Sequence, residues 1–409
     1  IFRAIASGVF VFLAILMVYF YFKGPTEKQG IVQIPAGKVT EPYEQLTSLN
    51  HDSDSTQKVD ESIKSIEISP LPGSDVKIDE KKRELWLKAG AMVKAGDYNE
   101  VIKLLQEVSE KDNRIFTDIG ILFLKTGKYD DAIKYLEKAI EYDSNNFTAI
   151  KVLALAYYKT DRLDKSLHNI ERGLSIKEDQ ALQFLHDKIG REHRTQEKFI
   201  DESTRHFKVI FDGHENGNIS RKVLGILDDA YRFVGKELNY FPDQSITVII
   251  YTEKEFFDTT LAPGWAGGAY DFIGGKIRIP VKGVEGREAE LKRVLFHEYV
   301  HAVVDSITQR CPLWINEGLA EYFSRDYPKK IGQVVPLNYL ENSFIWLGGR
   351  VGIAYWESYS AISYLIEKHG PAKMKDLLVS FSKSSDVNQA FRDVLGISYS
   401  EFVSSWGKS

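Results

Sequence analysis

The sequence predicts an α+β protein made of an N-terminal apolar anchor, an all-α repeat array, and a C-terminal half in which a few strands precede a group of helices. Three observations carry that expectation. Residues 4–22 form an apolar run without a charge, and three related stretches between residues 94 and 174 align with one another. Strand-like alternation between residues 206 and 281 then gives way to helical periodicity after about Gly286.

The apolar run, "AIASGVFVFLAILMVYFYF", would span roughly 28 Å as a helix, close to the hydrocarbon thickness of a bilayer. It ends in Tyr19, Phe20, Tyr21 and Phe22, an aromatic cluster of the kind found at a membrane interface. A cleaved signal peptide is the competing reading, but bulky residues follow the run where a cleavage site would need small ones. Residues 1–23 are therefore expected to be a transmembrane anchor. The protein would then be single-pass, with its folded domains on the extracytoplasmic side. Residues 24–81 are rich in Ser, Asp, Lys, Pro and Gly with few aromatics. Such a segment buries too little apolar surface to offset its ordering entropy, so it reads as a flexible tether.

Composition limits the rest. Of 409 residues, 27% are charged and 43% hydrophobic, the balance of a globular chain long enough for two or three folded units. A net charge of −5 lacks the basic footprint of nucleic-acid binding, and no nucleic-acid partner is expected. The single cysteine, Cys311, excludes an internal disulfide and reads as structural.

Residues 82–182 carry the repeat. "KAGDYNEVIKLLQEV", "KTGKYDDAIKYLEKAI" and "KTDRLDKSLHNIERGL" align with Gly96, Gly127 and Asp161 in register, 31 and then 34 residues apart. Each copy reads as helix, tight turn, helix, a unit that stacks into a solenoid. The middle copy resembles a tetratricopeptide repeat, with Gly120, Ala132 and Ala139 at small-residue positions and Tyr129 as its aromatic. The third has Ser166 where the second has Ala132, and the first departs more, with Val101 and Val108. The resemblance implies a surface that holds a protein partner. Residues 183–203 read as a helical connector.

Residues 204–409 begin with two apparent strands, "HFKVIFDG" and "SITVIIYTE", separated by a helix around Ser220–Leu238. "AGGAYDFIGGKIRIPV" reads as a hairpin with glycine pairs at 267–268 and 274–275. Helices are expected at 288–306, 313–326, 354–369, 371–383 and 386–406, the last broken near Gly396.

The chemistry is concentrated in "LFHEYVHAVV". His297 and His301, two of nine histidines, sit four positions apart and project from one helical face. Two nitrogen donors so placed suit zinc, and Glu298, about 100° around the helix, can reach a catalytic water without becoming a ligand. The apolar residues Leu291, Val294, Leu295, Val300 and Val303 make this a largely buried helix. Uncompensated imidazoles and a carboxylate there would be costly. A second helix in "PLWINEGLAEYF" brings Glu317 and, one turn later, Glu321.

In combination, "HEYVHA", "WINEGLAEYF", the upstream "GWAGGAYDFIGGKIRIPV" and the later "AYWESYSAISYLIEKHG" resemble the gluzincin metallopeptidases. Within that group they resemble the peptidase MA-like domains often found beside tetratricopeptide repeats. The resemblance covers most of residues 206–409 and implies a thermolysin-like fold holding Zn2+. It makes Glu317 the third zinc ligand, with Glu321 and Asn316 supporting the histidines from behind. The distance from His301 alone would also suit Glu321 as the ligand. It further implies Glu298 as general base, and Tyr355 or Tyr359 (His369 as a third choice) as oxyanion donor. Aromatic core residues at helical spacing would look the same as these two tyrosines. An edge strand in Gly267, Gly268, Ala269 and Tyr270 would pair with extended substrate, unless the glycines serve only the turn. The expected function is thus a membrane-anchored zinc peptidase acting on a peptide or protein substrate, with a protein partner recruited by the repeats. The alternative is a silent repeat scaffold with a structural zinc site.

Overall fold

The structure, a computed structural model, describes residues 88–89, 92, 98–109, 115–213, 217–261, 268–281, 287–324, 335–344, 346–347, 351–383 and 386–407. The apolar run at 4–22, the tether at 24–81 and Gly267 lie outside these residues. The chain divides into two compact units with the boundary between Glu197 and Lys198.

The first unit is helical: α1 (Tyr98–Ser109), α2 (Ile115–Lys125), α3 (Tyr129–Tyr142), α4 (Phe147–Lys159), α5 (Leu163–Ile176) and α6 (Gln180–Gln196). Each helix packs on the next, and α2 also reaches α4. The repeat follows from a repeated turn. Gly127 and Asp161 both take left-handed backbone, at φ 74° and 60°. The next amides, of Lys128 and Arg162, reach back to the carbonyls of Phe123 and Tyr157 at 2.8 and 2.9 Å. That closure satisfies otherwise open carbonyls at the ends of α2 and α4 and sends the chain back along each helix. Asn146 and Asp179 then cap α4 and α6, accepting from Ala149 and Leu182 amides at 3.0 and 2.9 Å. Ser166 is buried like its counterpart Ala132, and its hydroxyl donates to the Ala154 carbonyl at 2.8 Å, which removes the cost of burying it.

The second unit opens with β1 (Ile200–Ser203), β2 (Phe207–Phe211), α7 (Gly217–Leu238), β3 (Ile246–Thr252), α8 (Glu253–Thr260), β4 (Ala269–Asp271) and β5 (Lys276–Val281). The five strands lie in the order β1-β2-β3-β5-β4. β2, β3 and β5 run parallel, while β1 and β4 are antiparallel edges. Alternation along the strands sorts the two faces. Phe207, Val209, Val248, Ile250, Ile277 and Ile279 join the core with Val223 and Leu227 of α7, whereas Ile210, Ile249 and Tyr251 pack with Phe256 of α8. Helices follow: α9 (Glu288–Ile307), α10 (Leu313–Ser324), a 3-10 turn (Leu337–Leu340), α11 (Val351–His369), α12 (Ala372–Lys383), α13 (Val387–Leu395) and α14 (Tyr399–Trp406). The break between the last two is at Gly396, φ 72°.

Two expectations are corrected. Among the described residues the protein is mostly helical, with its strands in one small mixed sheet, rather than an α+β fold headed by a transmembrane helix. Among the described residues no helix is long and apolar enough to cross a membrane, so the transmembrane anchor, the single-pass topology and the extracytoplasmic location are withdrawn. They rested on the hydropathy and length of one apolar run, and those two properties match a bilayer's thickness without establishing a spanning helix. The expected connector is also divided: α6 packs on α5 as part of the first unit, and Ile200–Ser203 is a strand because it pairs with β2.

Candidate metal centre

α9 packs between the β4–β5 edge of the sheet and the helices α7 and α10, so every residue from Leu295 to Val304 is buried, His297, Glu298 and His301 among them. α10 packs across it and brings Asn316, Glu317 and Glu321 to the same place, all buried. The close crossing of α10 with α11 depends on Gly318. A Cβ there would lie 2.5 Å from the Ser358 carbonyl oxygen, so only glycine lets the two backbones meet at this distance.

The donor atoms converge. His297 Nε2 and His301 Nε2 are 3.0 Å apart, and Glu317 Oε2 is 3.5 Å from the first and 3.6 Å from the second. These are the atoms of a group able to hold a metal ion. The outward nitrogens face separate groups: His301 Nδ1 is hydrogen-bonded to Asn316 Oδ1 at 2.9 Å, and His297 Nδ1 lies 3.5 Å from Glu321 Oε1. With the amide oxygen facing it, His301 Nδ1 carries the proton, which leaves its Nε2 with a bare lone pair pointing at His297.

Burial dominates the electrostatics of these groups. Burial pushes the Glu298 carboxyl up to about 8, although the Tyr270 backbone N–H donates to it. Burial, followed by the Glu298 and Glu321 charges, raises Glu317 well above the ordinary carboxylate range. Burial lowers His301 to about 4, keeping it neutral despite its bond to Asn316. Neutral His301 therefore makes no ion pair with Glu317 across their 3.6 Å contact. Glu317 Oε2 and Glu298 Oε2 are buried with no hydrogen-bond partner. Two ring nitrogens and an unsatisfied carboxylate oxygen within 3.0–3.6 Å of one another are a donor set that fits a cation. Tetrahedral zinc at its usual nitrogen distance would separate two ligand atoms by about 3.3 Å.

The β4–β5 hairpin lies along α9. Gly268 sits so close that a Cβ would be 2.7 Å from Val294 Cγ1 and 3.3 Å from Glu298 Oε1. Ala269 and Tyr270 continue the edge strand from there. Tyr355 and Tyr359 lie on α11: Tyr355 is buried edge-on against Phe344 at 5.2 Å, and Tyr359 stacks on Tyr322 of α10 at 6.3 Å. His369 ends α11 and is partly exposed. Cys311 is not one of the grouped donors, and burial pushes its thiol up, away from the thiolate. Two features escaped the sequence reading. Phe272 places its ring 6.0 Å from that of His301, and the Tyr270 hydroxyl donates to Asp305 Oδ2 at 2.9 Å. Asp305 lies seven residues after Glu298 on the same helical face, a spacing that could have drawn attention to it.

The fold and its donor set thus define a helix-borne group of two histidines and a carboxylate, buried under a sheet edge and able to hold a metal ion. Comparison with known families finds a Peptidase MA superfamily domain over residues 234–409 and a tetratricopeptide repeat over residues 114–146, the latter spanning α2 and α3. The first match begins within α7 and takes in α9, α10 and the hairpin. A Peptidase MA domain is compatible with zinc. No curated protein matches the chain.

Proposed function

We propose that the second unit is a zinc-dependent peptidase and that the repeat unit brings it a protein substrate or partner. The observation that carries this reading is the convergence of His297 Nε2, His301 Nε2 and Glu317 Oε2, with Glu298 buried beside that group but outside it. The orphaned Glu317 oxygen and the inward ring nitrogens fit a zinc ion held by these three residues. Zinc so held would supply Lewis acidity toward a water and a substrate carbonyl.

The chain's own residues perform the rest. Asn316 Oδ1 holds the proton at His301 Nδ1, and Glu321, its Oε1 3.5 Å from His297 Nδ1, stands behind the other ring, so both Nε2 atoms face Glu317. This division of labour supports Glu317 as the ligand and Glu321 behind it. Glu298 takes the proton of the attacking water on its carboxylate and passes it to the leaving amine nitrogen, so that carbonyl addition and C–N cleavage share one proton carrier. An O–H from α11, at Tyr355 or Tyr359, donates to the tetrahedral oxyanion. The main chain of Gly268, Ala269 and Tyr270 forms an edge to which an extended peptide adds by backbone hydrogen bonds. A scaffold with a structural metal site needs the three ligands but has no use for a buried carboxylate such as Glu298.

Glu298→Gln tests the reading. Purified parent and variant are assayed for zinc and for cleavage of a quenched fluorescent peptide library. The peptidase reading predicts zinc in both and cleavage in the parent alone. Zinc in both with cleavage in neither favours the scaffold, and zinc in neither removes the metal centre.

A further inference from the structure

β4 is only three residues long and stands at the open edge of the sheet, so its ladder to β5 cannot by itself hold it firmly. It is nevertheless fastened to α9 at three levels. At Gly268 the strand comes so close that an added Cβ would lie 3.3 Å from Glu298 Oε1, and the Tyr270 backbone N–H is a hydrogen-bonding neighbour of the same carboxylate. Two residues on, the Phe272 ring, itself edge-on to Tyr270 at 4.9 Å, faces His301. The Tyr270 hydroxyl reaches Asp305 Oδ2 at 2.9 Å. Glu298, His301 and Asp305 are spaced three and four residues apart, so they form one stripe about 10 Å long on the helix. Tyr270 touches both ends of that stripe, with its main chain at one and its side chain at the other.

From this arrangement we infer that Tyr270 is a positioning residue rather than a substrate contact through its side chain: its bond to Asp305 pins β4 along α9 and so sets where the Tyr270 amide holds Glu298. The inference rests on the reading of Glu298 as general base and deepens it. A carboxylate that must meet a water and then a leaving nitrogen has to point in one direction, and an amide donor on a fixed strand supplies that direction. With its ring packed on Phe272 and its hydroxyl on Asp305, the Tyr270 side chain is engaged with the fold. Recognition by β4 then falls to main-chain groups other than the Tyr270 N–H.

The test pairs a measurement independent of catalysis with a kinetic one. In metal-free protein, Tyr270→Phe keeps the ring and amide and removes only the O–H donor. Hydrogen exchange at the Tyr270 amide should speed up by about ten-fold or more while the amides of α9 stay unchanged. Asp305→Ala should do the same and serves if the first variant folds poorly. Asp305→Asn retains an acceptor oxygen and should restore parent protection. In zinc-loaded protein acting on the quenched peptide library, Tyr270→Phe should lower kcat about ten-fold with KM within about two-fold. Tyr270→Phe combined with Asp305→Ala should be no worse than either alone. Parent-level protection in Tyr270→Phe overturns the inference, as does a kcat unchanged despite lost protection. Absence of cleavage by the parent removes the peptidase reading, and the exchange comparison still decides whether the Tyr270–Asp305 bond pins the strand.

Discussion

Replacing Gly318 by Ala tests the packing that delivers Glu317 to the site. Gly318 follows Glu317 directly and lies where the α10 and α11 backbones touch. The added Cβ would meet the Ser358 carbonyl oxygen at 2.5 Å and its carbon at 2.9 Å, with Ile362 Cγ1 at 2.6 Å. Ile362 can turn aside, but the Ser358 backbone cannot without moving α11 as a whole. Two effects oppose each other. Alanine gains about 1 kcal/mol of helix propensity over glycine, whereas overpacking against a rigid neighbour costs about 3 kcal/mol at the upper end of its range. The backbone contact wins, and a net loss of about 2 kcal/mol is expected. For a unit of this size that lowers Tm by about 4–8 °C. The same displacement shifts Glu317 relative to His297 and His301, so zinc affinity should fall by about ten-fold or more. Gly225 supplies the control. It is a helical glycine in α7 with nothing within 4 Å of an added Cβ, so Gly225→Ala should stabilise by about 0.4–1 kcal/mol and leave zinc binding alone. Calorimetry and chelator competition read both quantities. If Gly318→Ala matches Gly225→Ala in stability and binds zinc like the parent, the close helix crossing does not exist.

Other substitutions probe the remaining contacts. His297→Ala and His301→Ala should each abolish stoichiometric zinc, measured by metal analysis after gel filtration. Glu317→Ala should do the same, while Glu321→Ala and Asn316→Ala should retain zinc with affinity about 10–100-fold weaker; the reverse ranking would make Glu321 the ligand. In the repeat unit, Asp179 caps α6 and pairs with Lys151 at 2.8 Å. Asp179→Ala should cost about 1–2 kcal/mol by thermal melting, and Asp179→Asn, which keeps the cap, clearly less. Burial pushes the Asp179 carboxyl up, but the Lys151 bond and the Leu182 amide outweigh it and hold the group below its ordinary value. Its contribution to stability is therefore complete above the unfolded value of about pH 4 and is lost as pH falls through the lower folded value. A parent-minus-Asp179→Asn difference that stays flat through that acid range would refute the assignment.

The sequence by itself determined whatever depends on local periodicity and spacing. The repeat register, with Gly127 and Asp161 at equivalent turns, was legible because a left-handed turn position favours glycine or a short polar residue. His297 and His301 were legible as a pair because four residues return a helix to the same face. The helices after residue 286, with the break at Gly396, followed from apolar spacing and one glycine. Contacts between elements were not legible. β1 was read as helix, since four residues carry no period strong enough to compete with the pairing that makes them a strand. The parallel order of β2, β3 and β5 is a property of the crossovers, not of any strand. Spacing left Glu317 and Glu321 both open as ligands, because sequence distance does not say which face α10 turns toward α9. Only tertiary packing, with Gly318 admitting α11 and Asn316 and Glu321 meeting the outer ring nitrogens, brings Glu317 Oε2 alongside the two inner ones. Asp305 is the same case: an ordinary acid in the sequence, it gains its place because a three-residue strand must be anchored from outside its own sheet.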